Sequence, residues 1–138
     1  MKKREKVSSV MTKDLLTIEV NDSLHNANNI FNAKKLRHLP VVANEHLVGI
    51  LSQTDILRIS FGNTFGEQEG GDEAIFDILS INQVMKHSPV TIKPEDSIKD
   101  AAKLLTEREF HALPVVDDDK LVGIVTTTDI INYFISQN

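Results

Sequence analysis

Twice the chain places a hydroxyl side chain three residues ahead of an aspartate, each time directly after a glycine and two aliphatic residues. The stretches are Gly49-Ile50-Leu51-Ser52-Gln53-Thr54-Asp55 and Gly123-Ile124-Val125-Thr126-Thr127-Thr128-Asp129. Apolar residues follow, Ile56, Leu57 and Ile59 in one case and Ile130, Ile131 and Phe134 in the other, so the hydroxyl falls at the N-terminus of a helix. The first backbone N–H groups of a helix have no partner inside it. Two chemistries fit. A Ser or Thr with an acid three residues on can cap the helix reciprocally. The same N–H groups with adjacent hydroxyls also accommodate a phosphate. An aspartate one turn in would repel that phosphate and must face something else, and the vicinal hydroxyls of a ribose are suitable donors. The pattern therefore reads either as a cap or as a phosphate-plus-ribose site, hence a nucleotide.

The elements that must position these residues are themselves duplicated. A shift of 74 positions, the separation of Asp55 and Asp129, aligns Val7–Ile59 with Ile81–Tyr133 without a gap, and about a third of the pairs are identical. Val10-Met11 meets Val84-Met85, Asp22-Ser23 meets Asp96-Ser97, and Leu39-Pro40-Val41-Val42 meets Leu113-Pro114-Val115-Val116. Each copy reads as strand, helix, strand, strand, helix. Leu15–Ile18 and Val90–Ile92 predict short strands, and the Asp-Ser pair after each predicts a helix cap. Leu24, Ala27, Ile30 and Phe31, or Ile98, Ala101, Leu104 and Leu105, form one apolar helical face. Two strands follow, joined by Ala43-Asn44-Glu45-His46 or Asp117-Asp118-Asp119-Lys120, whose Asn and Asp residues tolerate tight-turn geometry. The strands are apolar throughout, which implies cover on both faces.

A unit of about 60 residues is marginal alone because it buries only about 60% of its surface. The reading is therefore a mixed α/β (α+β) body of two β-α-β-β-α repeats packed sheet to sheet with pseudo-two-fold symmetry: residues 1–60, an insert at 61–80, and residues 81–138. The insert holds Gly62, Gly66, Gly70 and Gly71 and has no counterpart in the repeat. Its Gly-rich acidic part reads as a loop, with a lid over a ligand as the alternative, while Ala74, Ile75, Ile78 and Leu79 predict a short amphipathic helix.

The paired Gly-aliphatic-aliphatic-Ser/Thr-x-x-Asp motif, the LPVV strand ahead of each hydroxyl and the Val-Met opening of each copy together resemble a tandem cystathionine-β-synthase (CBS) domain pair. The resemblance spans nearly all of the chain outside the insert and tail. It implies adenosine-type ligands (AMP, ADP, ATP or S-adenosylmethionine) in clefts between the repeats, and a homodimer of modules. Asp55 and Asp129 would then take the ribose, and Ser52, Thr54, Thr126 and Thr128 the phosphate end. The two residues before each LPVV strand, often basic and phosphate-facing in the family, are here Arg37-His38 and His111-Ala112. The base would meet Asp14 and Leu16, or Ser88 and Val90, with Val42 and Val116 as apolar walls. Arg37 is permanently charged and can fork onto phosphate oxygens, so the cleft of Ser52, Thr54 and Asp55 reads as the better phosphate site. The other has only His111, because Ala112 departs from the basic pattern, and suits a weaker ligand or an adenosyl group without phosphates.

Other functions are disfavoured. The formal charge of −5 argues against nucleic-acid binding, the basic cluster at Lys2, Lys3, Arg4 and Lys6 reading as a solvated tail. No apolar run approaches the roughly 20 residues of a membrane helix, and the N-terminus lacks the apolar core of a secretory signal, so a cytoplasmic protein is expected. There is no cysteine. The five histidines, His25, His38, His46, His87 and His111, read as solvated or turn residues rather than a zinc site. Asp117–Asp119 read as a turn. No catalytic elbow, Walker loop or Cys/His pair appears, so no enzyme activity, metal or required cofactor is expected. Two functions remain: a regulatory module that senses an adenine nucleotide and signals to an unidentified protein partner in trans, or a structural dimerisation module with vestigial clefts. Tyr133, Phe134 and Ile135 are expected to pack on the core.

Overall fold

The computed structural model describes residues 5–62, 71–108 and 111–137, the side chains of 60–62 and 71–73 excepted. It divides into two compact units, Leu16–Ser88 (the first) and Met1–Leu15 with Pro89–Asn138 (the second). The elements run, in chain order, as a 3-10 turn at Val7–Ser9, β1 (Ile18–Glu19), α1 (Leu24–Lys34), β2 (His38–Ala43), β3 (His46–Ser52) and α2 (Gln53–Gly62). They continue as α3 (Gly71–Ile78), α4 (Ile81–Val84), β4 (Lys86–His87), α5 (Ile98–Glu107), β5 (Ala112–Asp117), β6 (Lys120–Thr126) and α6 (Thr127–Ser136).

In the first unit, Ser23 caps α1 by accepting from the Asn26 N–H at 3.0 Å, and the face made by Leu24, Ala27 and Phe31 is buried. Lys35 then takes a left-handed conformation, φ 54°, and ends the helix. The β2–β3 hairpin turns at Asn44 and Glu45, both left-handed at φ 50° and 71°, which matches the right-handed twist of the strands. Its register sets His38 opposite Ser52 and Pro40 opposite Ile50. The second unit repeats this: Ser97 caps α5, Asp118 and Asp119 turn the β5–β6 hairpin at φ 50° and 66°, and Ala112 lies opposite Thr126. As the unbroken apolar runs implied, Leu39 to Val42 and Leu113 to Val115 are all buried.

The opening strands are shorter than the sequence predicts. β1 holds only Ile18 and Glu19, parallel to Val41 and Val42, and Leu16 stays 43% exposed. Val90–Ile92 form no strand, and only Ile92 bridges to Val115. In the first unit the ladder runs on through the Val20 N–H to the Val42 carbonyl at 2.9 Å. The position matching Val20 is Pro94, which has no N–H to donate.

Each unit takes its opening segment from the other sequence copy. β4 pairs with β3, Lys86 opposite Ile50, and in the second unit Thr12 exchanges both backbone hydrogen bonds with Ile124, at 2.8 and 3.0 Å. The glycine of each motif permits this close approach. A Cβ on Gly49 would collide with the Met85 sulfur and lie 2.8 Å from the Lys86 carbonyl oxygen. One on Gly123 would meet the Met11 sulfur at 2.7 Å and the Thr12 carbonyl oxygen at 3.1 Å. The Val-Met opening of one copy thus rests on the motif glycine of the other. The boundaries 1–60, 61–80 and 81–138 describe the repeat in sequence, whereas the packed units change over near residues 16 and 89.

In the insert, the expected helix is α3, with Leu79 just beyond its end. Phe76 is 5% exposed, and α3 is tied to α1 by the His25 Nε2–Asp77 Oδ1 contact at 2.6 Å, with the His25 ring edge-on to Phe76. The Gly-rich loop, with its lid alternative, lies outside the described residues over 63–70. On α6, Tyr133 packs against the core as expected, but Phe134 and Ile135 are 59% and 68% exposed. Ile135 falls about 140° round the helix from the buried Ile130, whereas Phe134, one turn on from Ile130, is exposed in the last turn of the helix. Among the described residues no helix is long and apolar enough to cross a membrane.

Candidate ligand site at two helix N-termini

The last residue of β3, Ser52, accepts from the Asp55 N–H at 3.0 Å, and Asp55 Oδ2 accepts from the Ser52 N–H at 3.1 Å. At the end of β6, Thr126 and Asp129 make the same reciprocal pair, at 3.1 and 2.9 Å. Both hydroxyl–aspartate pairs are therefore capping boxes, each satisfying orphan helix N–H groups and worth about 1 kcal/mol. The carboxylates also sit at the positive ends of the helix dipoles.

The first of the two residues ahead of each LPVV run is drawn to the same place. The Gln53 N–H donates to the Arg37 carbonyl at 2.9 Å, and the Thr127 N–H to the His111 carbonyl at 3.1 Å. The hairpin register puts His38 opposite Ser52 and Ala112 opposite Thr126. The first unit thus gathers Arg37, His38, Ser52, Thr54 and Asp55 at the α2 N-terminus. The second gathers His111, Thr126, Thr128 and Asp129 at the α6 N-terminus. Arg37, Thr54, His111 and Thr128 are exposed.

The remaining candidates lie elsewhere. Val42 and Val116 are four strand residues from His38 and Ala112, roughly 13 Å along the strand; Val42 is buried and Val116 half-buried. Ser88, exposed and left-handed at φ 46°, follows β4 in the first unit and donates from its N–H to the Val48 carbonyl at 3.4 Å. Leu16 is exposed in the same unit. Asp14, exposed, and Val90, half-buried against the core, belong to the second unit.

The two aspartates differ in a way their shared motif conceals. Asp55 is only 3% exposed, and its second oxygen, Oδ1, contacts Arg58 Nη1 at 3.2 Å. Asp129 is half-buried, and among the described residues no cation lies within ion-pair distance of it. It lines a concavity of about 400 Å³ with Glu5, Ser9, Val10, Asn132 and Tyr133. Asn132 occupies the position matching Arg58. Neither residue stood out in the sequence; the only signal was a cation three residues after an aspartate, the spacing of a helical ion pair.

The CBS domain family matches residues 7–62 and 81–136, and the chain belongs to that family. It is 33% identical over 132 residues to a CBS domain-containing protein of Dictyostelium discoideum, covering 94% of this chain and 90% of that one. The crystal structure of CBSX2 in complex with AMP superposes with a TM-score of 0.78 at 28% identity, covering 96% of this chain and 98% of that one. The CBS domain pair of protein MJ0100, in complex with 5′-methylthioadenosine and S-adenosyl-L-methionine, gives 0.80 at 25%, covering 99% and 100%. The chain spans less than half the length of several other curated relatives, 47% of protein MJ1225 of Methanocaldococcus jannaschii among them.

Proposed function

We propose that the chain is a ligand-sensing module that takes adenosine-type ligands at the α2 and α6 N-termini and signals their binding to a partner protein. The observation that carries this is the coincidence, in both units, of a helix N-terminus, a hydroxyl and carboxylate pair, and the backbone of Arg37 or His111 at the first helical N–H. Similarity to domain pairs solved with AMP and with S-adenosylmethionine supports the ligand class.

Arg37, on the exposed side of the α2 N-terminus, supplies a fixed positive charge for phosphate oxygens, with Ser52 and Thr54 as hydroxyl partners. That end suits AMP, ADP or ATP. The α6 N-terminus has His111 in that place and suits an adenosyl ligand without phosphates, such as S-adenosylmethionine. Ser88 and Asp14, each in the unit of the corresponding aspartate, are the candidates for contacts to the base. Signalling requires that the ligand favour one arrangement of the module over another. The module works as a homodimer in the cytoplasm and performs no reaction of its own.

The test is a thermal-shift panel of AMP, ADP, ATP, S-adenosylmethionine, GTP and buffer on the purified chain. A ligand at about a hundred times its Kd adds roughly 2.7 kcal/mol, a readable shift in Tm. Adenosyl ligands should raise Tm where GTP does not, and Arg37→Ala should weaken the phosphorylated ones selectively. Silence across the panel would sink the sensing reading. The exposed apolar residues of α6, Ile131, Phe134 and Ile135, would then favour a structural dimerisation role, with sedimentation as its check.

A further inference from the structure

We propose that the residue three places after each aspartate, Arg58 in the first unit and Asn132 in the second, decides which aspartate can take a sugar diol. The inference rests on the ligand reading above and divides its chemistry between two sites. A carboxylate offers two oxygens, and a ribose diol donates two O–H groups. In both units Oδ2 is already engaged by the N–H of the hydroxyl residue, at 3.1 Å from Ser52 and 2.9 Å from Thr126. Each carboxylate oxygen accepts about two hydrogen bonds, so Oδ1 is the oxygen with the greater remaining capacity, and what occupies it sets how well a diol is held.

In the first unit Arg58 Nη1 holds Oδ1 at 3.2 Å, and the Asp55 side chain is only 4% exposed. A diol would have to compete with a charge-assisted bond for an oxygen that is almost out of solvent reach. In the second unit the equivalent residue is Asn132, which brings no charge, and Asn132 and Asp129 line the same concavity. The Asp129 carboxylate is thus open to a diol where that of Asp55 is locked. Arg58 acts through Asp55 and is a positioning residue. The first site reads phosphate, through Arg37 and the α2 N-terminus, and is indifferent to the sugar's 2′-hydroxyl. The second reads the intact diol of a nucleoside and does not need phosphate.

The experiment is an amide NMR titration of the full ¹⁵N-labelled chain with adenosine, 2′-deoxyadenosine and AMP. The amides of Ser52–Ile56 report the first site and those of Thr126–Ile130 the second. The second site should prefer adenosine over 2′-deoxyadenosine, and the first should respond to AMP without that preference. Arg58→Ala should give the first site a diol preference of about fivefold, the worth of an ion pair with one exposed partner. Asn132→Arg should remove the preference from the second site, and Arg58→Lys should keep the lock. Both side chains project from helix surfaces, and a purely structural effect would move Tm while leaving the adenosine to 2′-deoxyadenosine ratio alone. A ratio unchanged by both exchanges, in a chain that still binds adenosine or AMP, overturns this division and leaves the ligand reading standing. No perturbation of either set of amides by any of the three ligands overturns both.

Discussion

Ser52 and Thr126 each bond the N–H of an aspartate three residues on, and that aspartate bonds back. Ser52→Ala and Thr126→Ala should each lower the unfolding free energy by about 1 kcal/mol, while Thr126→Ser should be near neutral, all measurable by urea denaturation. Removing the guanidinium of Arg58, whose side chain is 68% exposed, should cost less than about 1 kcal/mol. Sequence identified all four motif residues but could not separate a cap from a ligand site, because both use the same free N–H groups. Nor could it distinguish Asp55 from Asp129. That difference comes from a neighbour, Arg58 against Asn132, that the repeat does not keep. The histidines show the same limit: His25 reads as a solvated residue, yet it bonds Asp77 across two helices 52 positions apart in sequence.

The elements followed the sequence most closely where local chemistry decides them. The apolar face of α1, its Ser23 cap and the two left-handed hairpin turns all rest on residues within a few positions of one another. The opening strands were overestimated because a strand needs a partner as well as a β-branched run, and Pro94 removes a donor where Val20 has one. The motif glycines give a graded test at this scale. Gly49→Ala forces a Cβ to within 2.8 Å of a backbone carbonyl, which cannot yield without shifting the strand. It should destabilise by about 1–3 kcal/mol. Gly123→Ala meets mainly the flexible Met11 side chain, with its backbone neighbour farther off at 3.1 Å, and should cost less. Met11→Ala in the Gly123→Ala background should recover part of that loss. Thermal unfolding of the three variants measures the order.

At the scale of the whole molecule the duplication was legible in the sequence, whereas the opening segment that each packed unit takes was not. Identity at a fixed shift reports which residues share a role, not which piece of chain meets which. The opening segment holds the same place in each copy of the repeat, so sequence assigns it to its own copy; only the backbone pairing of Thr12 with Ile124 and of Lys86 with Ile50 reveals the exchange. A chain lacking residues 1–12 should therefore lose amide exchange protection first in β5, β6 and α6. Val7, fully buried in the second unit, and the Thr12 bridge would both be gone. Retained protection there, with loss in β2 and β3 instead, would contradict the exchange.

The crossed opening segments also bear on how such a chain could arise. A single ancestral copy, cut at the sequence repeat, would carry an opening segment seated on the motif glycine of a hairpin it did not own. Two ancestral chains could have completed one another only by trading those segments. A duplication that joined two such chains would join partners already interdigitated. The trade is part of the present topology, and a cut at the repeat boundary separates each opening segment from the hairpin it is seated on.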